Sequence, residues 1–187
     1  MKKKYELTEE TTEVNGRILH RIKAVRDFGC VKAGYLGGFI QKEENLSQEG
    51  NAWVYGDAKV YDNANVCGNA KVCGNAKVYG DAKVYDNANV YDNANVYDNA
   101  NVYGDARVCG DAEIKNNTDY IVFKNFWSSG RFFTWTRSNN MWKVGCFYGT
   151  GEELIKKAYE DSKKSGREYE RVVRYVESIL ADERKEE

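Results

Sequence analysis

Apolar and polar residues recur on a six-residue beat from Val54 to Glu113, with valine at every first position and alanine at every fifth through ten successive hexads. The second place is Tyr or Cys, the third Gly or Asp, the fourth Asn or Asp, and the sixth a variable polar residue. A short period kept this strictly predicts a solenoid of stacked, near-identical turns. Side chains alternate along an extended chain, so Val and the small Ala four places on both point inward. Between them, the Gly/Asp and Asn/Asp pair supplies a corner where left-handed or bridge backbone angles are cheap.

Other parts of the chain follow different beats. Tyr5 to Val25 reads as a β-hairpin, because Asn15-Gly16 suits a tight type I′ turn between two strands. Strict alternation in its second strand sets Ile18, His20, Ile22 and Ala24 against Arg17, Leu19, Arg21 and Lys23. Residues 27–50 are rich in glycine, and counting back in sixes puts Gln48, Lys42 and Leu36 at first positions, with Ala52, Leu46 and Ile40 at fifth. This predicts an irregular first coil over 36–53, with bulkier side chains covering the open end of the stack.

Beyond Ile114 the period stops. Three strand-like runs, 120–126, 132–137 and 141–148, are separated by Ser128-Ser129-Gly130 and Ser138-Asn139-Asn140, which predicts a three-stranded antiparallel meander. Two amphipathic helices follow, with capping boxes read at Thr150/Glu153 and Ser165/Glu168 and an interruption at Gly166. The fold class is therefore mainly β: a parallel β-helix with an N-terminal hairpin and a C-terminal α+β module. The expected divisions are 1–35, 36–119 and 120–187.

Composition narrows the function. The 28 basic and 29 acidic residues nearly cancel, so no bulk field points to duplex nucleic acid or a membrane. Acidic corners are interrupted by lysines on every side, which argues for solvated turns over a DNA-mimic surface. The basic start, Met1-Lys2-Lys3-Lys4, lacks a following apolar run, and no stretch is apolar for long enough to span a bilayer, so a cytoplasmic location is expected. Five cysteines (30, 67, 73, 109 and 146) show no metal or disulfide spacing, so no metal site and no cofactor is expected. His20 is the only histidine and is read as a partly buried strand residue.

The Val…Ala hexad resembles the hexapeptide-repeat left-handed parallel β-helix family, which winds three hexads per coil. That resemblance implies left-handed coils and sorts the second-position residues into three outward columns. One is Tyr55, Cys73, Tyr91, Cys109; a second is Tyr61, Tyr79, Tyr97; a third is Cys67, Tyr85, Tyr103. Stacking along the column accounts for the rings, and a docking surface at Tyr61, Tyr79 and Tyr97 is the competing reading.

The candidate ligand-binding stretch is Phe126 to Trp142. Aromatic faces, hydroxyls and guanidinium groups crowd together there, and Arg131, Thr134, Trp135, Arg137, Asn139 and Trp142 are the candidate ligand residues for a nucleotide-type molecule. The bland alternative is that the rings are core.

Residues 21–29, 37–47 and 145–150 also resemble small hexapeptide-repeat proteins of phages and prophages. That resemblance implies an accessory protein of the bacterial host cytoplasm, one that counters host defence. Together these readings give a non-enzymatic, homo-oligomeric scaffold with no catalytic residue, one that sequesters a nucleotide-type signalling molecule. A structural scaffold that binds a host protein is the first alternative. Acyl transfer is the second. The family resemblance places a histidine base on a coil for that chemistry, and here the regular coils have none.

Overall fold

In the computed structural model, residues 3–186 are described, so the first two residues of the basic N-terminus lie outside the described residues. The chain divides into two compact units. One runs to Tyr120 and includes Thr136–Asn139; the other comprises Ile121–Trp135 and the chain from Asn140 onward.

The first unit opens with β1 (Tyr5–Val14) and β2 (Arg17–Ala24), antiparallel and joined by Asn15 and Gly16 at φ 52° and 78°. Both turn residues have the positive φ that a type I′ hairpin requires. Strict alternation fails in β2, where Leu19, Ile22 and Ala24 are buried and Ile18 is 60% exposed. The pairing register slips between Leu7 and Thr11 on β1, and again between Arg21 and Lys23 against the next strand. Such irregularities flip the buried face midway along the strand.

Strand β3 (Leu36–Ile40) joins the hairpin to the solenoid, whose remaining strands are two residues long. One sheet continues through β5 (Lys59–Val60), β8 (Lys77–Val78), β11 (Asn95–Val96) and β14 (Glu113–Ile114). A second contains β4 (Trp53–Val54), β7 (Lys71–Val72), β10 (Asn89–Val90) and β13 (Arg107–Val108). The third contains β6 (Asn65–Val66), β9 (Lys83–Val84) and β12 (Asn101–Val102). Pairing within the stack is parallel, with Val60 beside Val78 and Val78 beside Val96. Three hexads therefore make one coil.

Backbone hydrogen bonds tie each hexad to the next coil. In one example, Tyr61, Asn63 and Asn65 N–H donate to the carbonyls of Val78, Gly80 and Ala82 at 3.1, 2.9 and 3.0 Å. Ala64 N–H closes the corner onto Tyr61 O at 3.3 Å. The third-position residue, after the tyrosine or cysteine, has positive φ in every hexad, from Gly56 and Asp62 to Gly104 and Gly110. The third position is thus confined to glycine and aspartate, the residues that accept left-handed angles at low cost. Inside, each valine from Val54 to Val108 is 0% exposed, and each alanine from Ala58 to Ala112 is at most 1% exposed. At the corners, amide ladders cross the coils, as from Asn51 to Asn69 (3.0 Å) and from Asn69 to Asn87 (3.1 Å).

The first coil corrects the count made from the sequence. Ile40 pairs beside Val60 and Leu46 bridges to Val66, so both stand at the valine position, not at the alanine position. Trp53 pairs with Lys71 in the normal spacing. Two extra residues therefore lie between Leu46 and Trp53. Buried Lys4 and Tyr5 tie the start of the chain to that irregular coil. Lys4 Nζ donates to the carbonyls of Ala52 (2.9 Å) and Glu49 (3.2 Å), and Tyr5 OH donates to those of Leu46 (2.6 Å) and Glu43 (2.9 Å).

In the second unit the sheet has four strands, in the order β15 (Tyr120–Lys124), β16 (Phe132–Thr136), β17 (Met141–Val144), β18 (Phe147–Gly149). The run expected at 141–148 is split by a turn with Gly145 at φ 57°, which lets β18 fold back antiparallel on β17. Helix α1 (Gly151–Asp161) has the capping box expected of Thr150 and Glu153. Helix α2 (Lys163–Glu186) starts earlier than expected, because Ser162 Oγ takes the Ser165 N–H at 3.0 Å and so supplies the cap. Gly166 does not interrupt the helix. A methyl there would sit 2.3 Å from the Tyr159 ring, so the missing side chain lets the two helices approach. The core of this unit gathers Phe133, Trp135, Trp142, Val144, Leu154, Tyr169 and Val173. No helix among the described residues is long and apolar enough to cross a membrane.

Candidate functional site

The residues expected to share a ligand are divided between the two units. Trp135 and Trp142 are 1% and 2% exposed in the core of the second unit, and Thr134 is 2% exposed. Trp135 Nε1 donates to Asn140 Oδ1 at 2.9 Å, which satisfies its only polar atom. Arg131 is exposed, with its side chain alongside Gly145. Arg137 and Asn139 belong to the first unit. Arg137 N–H donates to Asp119 O at 2.8 Å, and Thr136 Oγ1 donates to Asn139 Oδ1 at 2.6 Å. The two tryptophan faces are therefore buried in the core and unavailable for stacking. Burial of these large rings against two helices outweighs their use at a surface.

The tyrosine columns form as ladders. Tyr61 and Tyr79 stack at 5.0 Å with planes 1° apart, Tyr79 and Tyr97 at 5.2 Å and 6°, and Tyr85 and Tyr103 at 5.3 Å and 9°. Tyr61 is only 3% exposed, since Leu19 and Phe39 cover it and the Arg17 guanidinium sits 5.7 Å from its ring centre. This removes Tyr61 from any docking face, whereas Tyr79 and Tyr97 remain partly open. Burial pushes the Tyr61 hydroxyl up to about 12, with Tyr79 adding to the shift. Tyr79→Ala is expected to cost roughly 1–3 kcal/mol by removing ring contacts on both sides, and Tyr79→Phe well under 1 kcal/mol. Denaturant titration of the two variants distinguishes a ring ladder from a role for the hydroxyl.

His20 is the one imidazole that could serve as a base, and the hairpin holds it in a defined state. Its Nδ1 lies 3.2 Å from Thr8 O across the β1–β2 pair. A carbonyl can only accept, so Nδ1 is the donor in this contact and Nε2 is the ring nitrogen turned away from it. The strand of His20 is continuous with the first solenoid sheet, with His20 facing Ile40 in the register. A neutral imidazole oriented by a backbone carbonyl can accept a proton from an amine or hydroxyl. Sequence reasoning identified the histidine but not its partner, because the register sets Thr11 opposite His20 and Thr8 reaches the ring only through the irregularity between Leu7 and Thr11.

The thiols in the coils point away from nucleophilic chemistry. Burial raises both Cys67 and Cys73 above the ordinary thiol value, with Asp86 and Asp92 respectively adding to the shift. In the first column burial also raises the Tyr91 hydroxyl, reinforced by its hydrogen bond with Cys109.

No protein-family model matches the chain. The chain is similar to an uncharacterised acetyltransferase, YdcK, of Escherichia coli (strain K12), being 39% identical over 61 residues. The match takes in 28% of this chain and 19% of that protein, so the chain spans about a fifth of the length of the curated relative. That likeness overturns the expectation of a chain without catalytic activity, because the relative is named for an enzymatic reaction. The hexads, the three parallel strand columns and this partial likeness make the chain a hexapeptide-repeat β-helix protein.

Proposed function

We propose that the protein takes part in acyl transfer from a thioester donor to an amine or hydroxyl acceptor. The observation that carries this reading is the combination of a hexapeptide-repeat solenoid with partial identity to a named acetyltransferase. The orientation of His20 supports it, since its Nδ1 faces Thr8 O at 3.2 Å and Nε2 is the ring nitrogen that an acceptor would meet. In the reaction, the acceptor attacks the thioester carbonyl while His20 Nε2 takes its proton. The new C–N or C–O bond forms, the C–S bond breaks, and the proton passes to the departing thiolate. Acetyl-coenzyme A is the first donor to test.

The measurement is release of free coenzyme A, followed by mass spectrometry, with a panel of primary amines and sugar hydroxyls as acceptors. Wild-type protein is expected to turn over at least one acceptor, and His20→Ala to lower kcat by roughly 10²–10⁴-fold, the usual contribution of a general base. Circular dichroism of the variant verifies that the hairpin is intact. Absence of release by wild-type protein with every acceptor, or unchanged turnover by folded His20→Ala, overturns this assignment.

A further inference from the structure

A cleft of about 470 Å³ lies within the second unit, lined by Phe123, Asn125, Trp127, Glu168, Arg171, Val172 and Tyr175. Its floor is fixed, because Phe123 and Val172 also pack against the core of that unit. Tyr175 meets Phe123 edge-on, with ring centres 6.0 Å apart and planes at 78°. Trp127 stands at the cleft with 65% of its surface exposed.

A buried side chain holds that tryptophan in place. Asn125 is 2% exposed, and its Oδ1 accepts the N–H groups of both Trp127 (3.0 Å) and Ser128 (3.1 Å). Its Nδ2 donates to Ser128 Oγ at 3.0 Å. The turn therefore fixes the backbone that carries the indole ring while leaving most of the ring's apolar surface in water. An exposed aromatic surface over a concave apolar floor is what a ligand site provides.

Charge narrows the ligand further. Arg171 Nη1 donates to Glu168 Oε1 at 2.8 Å. That contact occupies one of the five guanidinium donors and orients the plane, leaving donors for a second anionic partner. The volume falls within the usual range for small-molecule sites and is too small for a folded segment. We propose that this cleft binds a small planar aromatic anion, with its ring against Trp127 and Tyr175 and its phosphate or carboxylate on Arg171. The site stands on these residues alone and does not depend on acyl transfer.

Calorimetry on the full chain tests it with two charged probes, AMP and 1-naphthoate, and two uncharged counterparts, adenosine and 1-naphthalenemethanol. At least one charged probe is expected to bind with Kd on the order of 0.1 mM, and roughly tenfold more tightly than its uncharged counterpart. Whether AMP or 1-naphthoate binds more tightly distinguishes a phosphate from a carboxylate ligand. Trp53, Trp135 and Trp142 are 0–2% exposed, so a saturable change in tryptophan fluorescence with AMP reports Trp127. Arg171→Gln is expected to weaken the charged probe about tenfold, and Trp127→Ala to weaken both members of a pair. Arg171 and Trp127 are both solvent-facing, so the variants keep the core. The proposal is overturned if neither charged probe binds, if charged and uncharged probes bind alike, or if Arg171→Gln binds as well as wild type.

Discussion

Val78→Asp is expected to abolish cooperative folding of the solenoid. Val78 is 0% exposed and sits between Val60 and Val96 in the parallel stack, with no polar side chain among its strand partners. An unpaired carboxylate there must either stay ionised in an apolar column or take up a proton, and either route costs several kcal/mol. A domain of this size has only about 5–15 kcal/mol in total. The inward row also interrupts its own neighbours, because each coil is stabilised by the coils above and below. Val78→Ala removes two methyl groups without introducing charge and should cost about 1–3 kcal/mol. Guanidinium titration followed by circular dichroism separates the two variants. A normal transition for Val78→Asp would show that the valine rows do not hold the stack together.

Alkaline pH is the second large lever. Burial raises the hydroxyls of Tyr5 and Tyr91, and holds those of Tyr61 and Tyr120 at about 12. Above pH 10 the unfolded chain loses those protons while the folded chain retains them. The folded state then binds more protons than the unfolded state, and stability falls as pH rises. Lys4 works in the opposite direction. Burial, with Arg26 adding, lowers its ammonium to about 8, so between pH 8 and 10.5 the unfolded state binds more protons and stability rises. The gain from Lys4 is on the order of 2–3 kcal/mol. The denaturation midpoint should therefore climb from pH 8 to about 10 and collapse above it, in step with tyrosinate absorbance. In Lys4→Met the climb should vanish while the collapse remains. A midpoint that declines steadily from pH 8 in wild-type protein would contradict both assignments.

The solenoid was legible in the sequence because one inward pair, Val and Ala, repeats without exception and the third position allows only residues suited to positive φ. Asn15-Gly16 announced its turn by the same backbone logic. The register of the first coil was not legible, since Ile40 and Leu46 are apolar and would satisfy either inward position; only pairing with Val60 and Val66 decides between them. The slip in β2 was hidden for a related reason, because alternation assumes an unbroken register.

The burial of the two candidate tryptophans was hidden for another reason. Alternation told which side chains share a face of β16 but not which face the helices cover, so Trp135 and Trp142 read as available when they are core. Arg171 and Tyr175 carried no local signal of a cleft, being four residues apart on what looks like an ordinary solvated helix face. The same limit applies to His20, whose ring contact is a carbonyl twelve residues away.

The corner geometry also makes the stack a molecular gauge. The coils repeat every eighteen residues with positive φ at each third position and backbone bonds that recur from coil to coil, so adding or removing one whole coil leaves the remaining strands in register. Each such step moves β3 and β14 apart or together by about 4.8 Å. A gene carrying this repeat can change the reach of its product in fixed increments by unequal copying, with no new side chain required to absorb the change.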